Sequence, residues 1–211
     1  REWFEIVDAP PAKRRGRARS NRRLPRRGAR LRRRRPAPAT PRPLPPPPPR
    51  RMVRPMRRFG EPWRSDAPYR ERPGAYAAIL GSGPRAGRML LAATPNAGES
   101  FLLPGGGVDP GESPLRALSR EVREETGYSV RPLRRLGAFQ QYRWMPDYQM
   151  WARKICHIYL CRAGRPLGPP LEPDHTPVWM PLAEAVRRLS VAGERHVVGE
   201  YVASAARRAA S

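Results

Sequence analysis

The segment from Gly105 to Tyr128 constrains this chain more than any other. It reads Gly105-Gly106-Gly107-Val108-Asp109-Pro110-Gly111-Glu112-Ser113-Pro114 and runs on to Arg120-Glu121-Val122-Arg123-Glu124-Glu125-Thr126-Gly127-Tyr128. Ser113 suits an N-cap, Pro114 the first helical position and Gly127 the residue just past a helix, so a helix is expected over 114–126. At about 100° per residue, Leu115, Leu118 and Val122 form one stripe, expected to face the core. Glu121, Glu124 and Glu125 stand at i, i+3 and i+4 on an adjacent arc. Like charges at this spacing oppose one another by roughly 0.2–0.5 kcal/mol per pair in water, and by more when partly buried. Arg120 can balance one of them. Hard divalent cations with oxygen ligands suit the rest, Mg²⁺ above all where phosphates are also bound. Three consecutive glycines let the backbone turn tightly, approach a ligand closely and lend a carbonyl to a metal. A solvated acidic face explains a Glu-Glu pair. It does not explain the glycine triplet, Glu112 six residues after Gly106 and the Arg120–Gly127 spacing together.

The segment resembles the Nudix box, G-x5-E-x7-R-E-U-x-E-E-x-G-U, where U is a bulky apolar residue. Gly106, Glu112, Arg120, Glu121, Val122, Glu124, Glu125 and Gly127 match, and Tyr128 at the last U is a mild departure. The resemblance implies a loop–helix–loop on an α/β/α sandwich with a mixed sheet. It implies Mg²⁺ or Mn²⁺ held by Glu124 and Glu125, often with Glu121 and the Gly106 carbonyl, while Glu112 and Arg120 brace the loop against the helix. The activity implied is hydrolysis of a diphosphate linkage in a nucleoside diphosphate joined to another moiety. A nucleoside triphosphate, a dinucleoside polyphosphate or a nucleotide sugar would qualify. Subgroups acting on ADP-ribose often carry a proline where this chain has Tyr142, which argues against that substrate. Glu121 is the first candidate to take the proton of an attacking water, or a ligand if the base lies elsewhere. Many members use a further acid on a later loop, and Glu172 and Asp174 are candidates for it, against a reading as ordinary loop acids.

For substrate recognition, a base could stack on Tyr142 or Trp144 while Arg143 or Arg153 meets phosphate. Hairpin packing is the simpler reading for Trp151. His157, in an apolar strand, reads as a satisfied core residue rather than a ligand. Apolar runs at 74–80, 88–93, 101–103, 133–142, 150–161 and 178–180 read as strands, the first two as a hairpin. Residues 182–189 and 194–208 read as helices. The mixture predicts an α+β domain over 61–211.

The flanking composition is very different. Residues 1–60 hold 21 Lys and Arg against three acids, a balance of +18, whereas the rest holds 21 against 15, or +6. Such an Arg/Pro-rich arm cannot bury enough apolar surface to offset its ordering entropy, so it is expected to be disordered. It reads either as a tail for nucleic acid or as sequence ahead of a true start at Met52 or Met56, since the chain opens on Arg1 and favours residues with GC-rich codons. Cys156 and Cys161 fall in one strand, roughly 16 Å apart and beyond disulfide reach, which fits a reducing cytoplasmic setting. No segment has the ~20 apolar residues of a membrane span. The expected partner is a nucleotide-type small molecule, the expected state a monomer or homodimer. Two other classes stay open: a non-catalytic nucleotide-binding module with this fold, and nucleic-acid binding through the arm. Loss of a metal-binding glutamate would favour the module, and none is lost.

Overall fold

The computed structural model describes residues 56–95 and 100–210. The expectations for the Arg/Pro-rich arm fall on residues 1–55 and lie outside the described residues, except that Arg58–Gly60 is a strand of the sheet. Backbone pairing rather than composition draws these three residues into the fold.

The strands are β1 (Arg58–Gly60), β2 (Arg70–Leu80), β3 (Arg88–Thr94), β4 (Ser100–Leu102), β5 (Gly105–Gly107), β6 (Tyr128–Met145), β7 (Met150–Pro166) and β8 (Thr176–Pro181); the helices are α1 (Pro114–Thr126), α2 (Leu182–Arg188) and α3 (Ala192–Ala209). Among the described residues the strands form one mixed sheet in the order β1-β6-β7-β2-β3-β4, with β5 added to β2 and β8 to β3. The long β6–β7 hairpin is antiparallel, and β2 runs parallel to β7 from Arg70↔Ala152 to Leu80↔Arg162. The expected strands and helices are all present, and several run longer than their apolar centres. A cross-strand ladder continues through polar residues that a hydrophobicity pattern passes over.

Side chains alternate across the sheet, and each face buries a separate core. Ala75, Ala77, Ile79, Leu90 and Cys161 pack against Leu118 and Val122 of α1. Tyr76, Ala78, Met89, Leu91, Phe101, Leu103, Phe139, Cys156 and Ile158 pack against Ala185 of α2, Leu189, and Val198 of α3. The result is the α/β/α layering. Leu115, expected in the core stripe, is 47% exposed, whereas Leu118 and Val122 are fully buried. The first turn of α1 overhangs the sheet, and the buried positions lie farther along at Ala117, Leu118, Val122, Glu125 and Thr126. No helix among the described residues is long and apolar enough to cross a membrane.

Candidate active site

α1 is delimited by the residues that the sequence marks. The Ser113 side chain accepts from the Arg116 N–H, Pro114 occupies the first turn, and Gly127 caps the end with φ 71°, its N–H donating to the Arg123 carbonyl. A side chain at 127 would be strained at that φ and would also collide with the Gly168 carbonyl. The glycine triplet is not a loop but a short strand. Gly105, Gly106 and Gly107 pair with Tyr76, Ala75 and Gly74 of β2. This pairing holds the triplet beside α1.

Arg120 is the hub of the acidic cluster. Its guanidinium donates to Glu112 (3.2 and 3.0 Å), Glu121 (2.9 Å), Glu124 (3.1 Å) and the Gly107 carbonyl (3.1 Å). Asp109 lies 3.6 Å away. The hydrogen bond to Glu112 raises the Arg120 pKa further, and the same contact lowers that of Glu112. One cation thus ties the loop before the helix to two carboxylates on it. Glu121 responds differently. Burial raises its pKa despite the contact with Arg120. Gly106 sits against its carboxylate, and a Cβ at 106 would fall on it.

Glu125 is the most buried of the three helix glutamates, at 8% exposure. Its Oε2 accepts from the Gly105 N–H at 2.9 Å. Burial pushes its pKa up to about 8, against the effect of that hydrogen bond, and Glu121 and Glu172 add to the rise. Its Oε1 faces Nε2 of His175 at 3.6 Å, and Nδ1 of the same ring lies 2.9 Å from Glu172 Oε2. That second approach is too far off line for a hydrogen bond, which leaves the buried Nδ1 without a partner. One ligand atom from each of Glu125, Glu172 and His175 lies within 4.8 Å of the others. Two carboxylates and an imidazole gathered so closely, one carboxylate desolvated and short of counter-charge, form a donor set that fits a divalent cation.

The loop carrying Glu172 and His175 is fastened to the end of α1. Leu171 N–H and Glu172 N–H both donate to the Glu124 carbonyl (2.7 and 3.1 Å), and Leu167 N–H donates to that of Gly127 (2.8 Å). Of the two distal acids considered, Glu172 therefore lies beside Glu125, while Asp174 is exposed and outside that cluster. His175 is a member of the cluster that the sequence does not single out, although its place three residues after Glu172 is a usable signal.

The four residues considered for substrate contact divide between the faces of the sheet. Tyr142 and Trp144 share a face with Arg153, whereas Arg143 between them points to the other. Tyr142 packs on Tyr69 (4.7 Å between centroids), Trp144 on Trp151 (5.7 Å), and Arg153 pairs with Glu71 (3.0 Å). Trp151 also meets Tyr69, at 5.9 Å. His157 is half-buried and its Nδ1 lacks a hydrogen-bond partner, contrary to the expected satisfied core residue. Burial, helped by Arg135, lowers its pKa.

Comparison with known proteins matches residues 70–201 to the family model described as "NUDIX domain". A CMP-5'-(N-acetyl-N-hydroxy-3-aminopropyl)phosphonate hydrolase of Streptomyces rubellomurinus is 39% identical over 89 residues, 41% of this chain and 40% of that protein. An RNA pyrophosphohydrolase of Nitratiruptor sp. is 42% identical over 59 residues, 28% of this chain and 38% of that protein. The matched segments thus span about two fifths of these relatives' length. The crystal structure of a MutT protein from Methanosarcina mazei Go1 superposes with a TM-score of 0.50 at 21% identity, covering 64% of this chain and 96% of that one, and supports the fold.

Proposed function

This chain belongs to the NUDIX family, and from that premise we propose that it hydrolyses the diphosphate linkage of a nucleoside diphosphate joined to another group, using Mg²⁺ or Mn²⁺. The observation that carries this reading is the gathering of Glu112, Glu121 and Glu124 on the Arg120 guanidinium, beside Glu125, Glu172 and His175. So many carboxylates, two of them with raised pKa values, are a poor design for stability alone and suit a site that receives cations. The relatives named above are a hydrolase of a cytidylyl phosphonate and a pyrophosphohydrolase of RNA, which favours a nucleotide-based substrate here.

Glu124, Glu125 and Glu172 would hold the metal, with Glu121, the Gly106 carbonyl and His175 as further donors. When bound, the metal supplies charge neutralisation for the diphosphate oxygens and acidifies a water. The chain's own residues do the rest. Arg120 holds Glu121 and Glu124 in place and keeps the Gly107 carbonyl fixed to the helix. Glu121, partly desolvated, has a pKa raised toward the working range of a general base and takes the proton of the attacking water. Glu172, anchored through its own backbone N–H to the Glu124 carbonyl, lies beside Glu125 as a further acid of the site.

The test is incubation of the full chain with Mg²⁺ and a panel of nucleoside triphosphates, dinucleoside polyphosphates and nucleotide sugars, with products identified by mass. Cleavage between phosphates by the wild type and a loss of at least about a hundredfold in Glu124→Gln are expected. Undiminished turnover by that variant would remove Glu124 from the site.

A further inference from the structure

Three adjacent strands bring a group of cations to one face of the sheet. Arg143 of β6 pairs with Ala152 of β7, which pairs with Arg70 of β2; one step along, Gln141 pairs with Lys154, which pairs with Arg72. Residues two apart on a strand share a face, so Arg70, Arg72, Arg143 and Lys154 stand together. It is the face of Tyr76 and Cys156. The Lys154 ammonium lies 5.6 Å from the Tyr76 ring centroid, and the Arg72 guanidinium 4.8 Å from that of Tyr148. Among the described residues, none of these four cations pairs with a carboxylate. Glu71, the acid between Arg70 and Arg72, points to the opposite face and pairs with Arg153. Glu194, at the start of α3, is an acid whose charge acts on Lys154, and its Oε2 accepts from the Leu103 N–H at 3.0 Å. Burial lowers the Lys154 pKa, and the nearby Arg143 and Arg72 lower it further against the pull of Cys156 and Glu194.

The group borders the candidate active site. Arg72 Nη2 is 3.6 Å from where a Cβ of Gly107 would stand. Gly74, next along β2 on this face, pairs with Gly107, and a Cβ there would meet the Gly106 carbonyl and the Tyr76 ring, both at 2.9 Å, so glycine lets the backbones of β2 and β5 and the Tyr76 ring pack closely beside the cations. Like charges held together in a partly desolvated setting repel, and an anion relieves that repulsion where an uncharged base does not. Resting on the hydrolase reading, we propose that this face binds a phosphate of the substrate other than those of the linkage cleaved, so that preferred substrates carry an additional phosphate. That phosphate can come from a longer polyphosphate chain or from an ester on the sugar.

Two measurements test this. In the first, inorganic tripolyphosphate is titrated calorimetrically into the full chain in EDTA, without metal. A component present in the wild type, in Glu124→Gln and in Arg153→Gln, and weakened at least about tenfold in Lys154→Met and Arg143→Gln, is expected. Binding equal in all five proteins reports only the Arg-rich arm and overturns the proposal, as does no binding. In the second, kcat/KM with Mg²⁺ is compared within two pairs: ADP-ribose with and without a 2′-phosphate, and diadenosine pentaphosphate against triphosphate. Preference for the more phosphorylated member of either pair, lost in Lys154→Met, identifies the source of the phosphate. Hydrolysis of both pairs without preference overturns the proposal and leaves the hydrolase reading standing. No hydrolysis of these or any other nucleotide in the panel overturns the hydrolase reading, and the metal-free titration then decides the phosphate site by itself.

Discussion

Gly106 lies so close to Glu121 that a methyl group at 106 would overlap its carboxylate. The φ of Gly106 is not in the left-handed region, so an alanine meets no backbone strain and acts only by displacing that side chain. Gly106→Ala is expected to fold with a stability loss of about 1–3 kcal/mol, the usual range for overpacking. Its hydrolytic rate should fall far more than that loss explains, by about a hundredfold. Thermal unfolding and steady-state kinetics on the same preparation separate the two effects.

Arg120 reaches Glu112 with two nitrogens and Glu121 and Glu124 with a third. A lysine cannot span that fork. Arg120→Lys should lose roughly 1–3 kcal/mol, because partly buried carboxylates are left without a hydrogen-bonded counter-charge. The deficit should shrink on adding Mg²⁺, which replaces the missing positive charge. Urea unfolding with and without the metal measures it.

Glu194 is buried, and burial pushes its pKa up to about 8 from an ordinary 4.5. Between these values the folded chain keeps a proton that the unfolded chain has released, so stability from this group is full below about pH 4.5 and is lost as pH rises toward 8. Glu194→Gln retains an acceptor oxygen for the Leu103 N–H without the titration. The variant should gain on the wild type with rising pH, by roughly 1 kcal/mol or more between pH 5 and 8, as a tenfold difference in acidity between the folded and unfolded chain corresponds to about 1.4 kcal/mol. Parallel pH dependences in denaturant unfolding would discount the buried carboxyl.

Leu118 is fully buried and Leu115 is 47% exposed, though both lie on the stripe a helical wheel assigns to the core. Leu118→Ala should cost about 2–5 kcal/mol, as cavities of this kind do. Leu115→Ala should stay within about 0.5 kcal/mol. Equal losses in thermal unfolding would contradict the packing of α1 described above.

The helix and its glutamates were legible because caps, periodicity and acid spacing are local, and one 23-residue segment contains them all. Three features were not, and each depends on pairing across the sheet or along the helix. The glycine triplet is a strand only because β2 presents a free ladder edge to it. Arg143 parts from Tyr142 and Trp144 because neighbours on a strand face opposite ways, which becomes consequential only once the strand's two sides face different surroundings. His175 joins Glu125 because the loop after β7 folds back along α1, a contact between residues 50 apart in the chain. Leu115 departs from expectation for a related reason: the wheel gives a direction but not where the sheet underneath ends.

The Glu124 carbonyl receives two N–H groups of the following loop while the Glu124 side chain reaches Arg120. One residue therefore couples the frame of both acid-bearing segments. Thermal motion cannot carry Glu172 away from Glu125 without pulling on the last turn of the helix, so the spacing between them is kept by main chain. Their side-chain chemistry is free to vary on that scaffold, while a change in the length of the loop would break it.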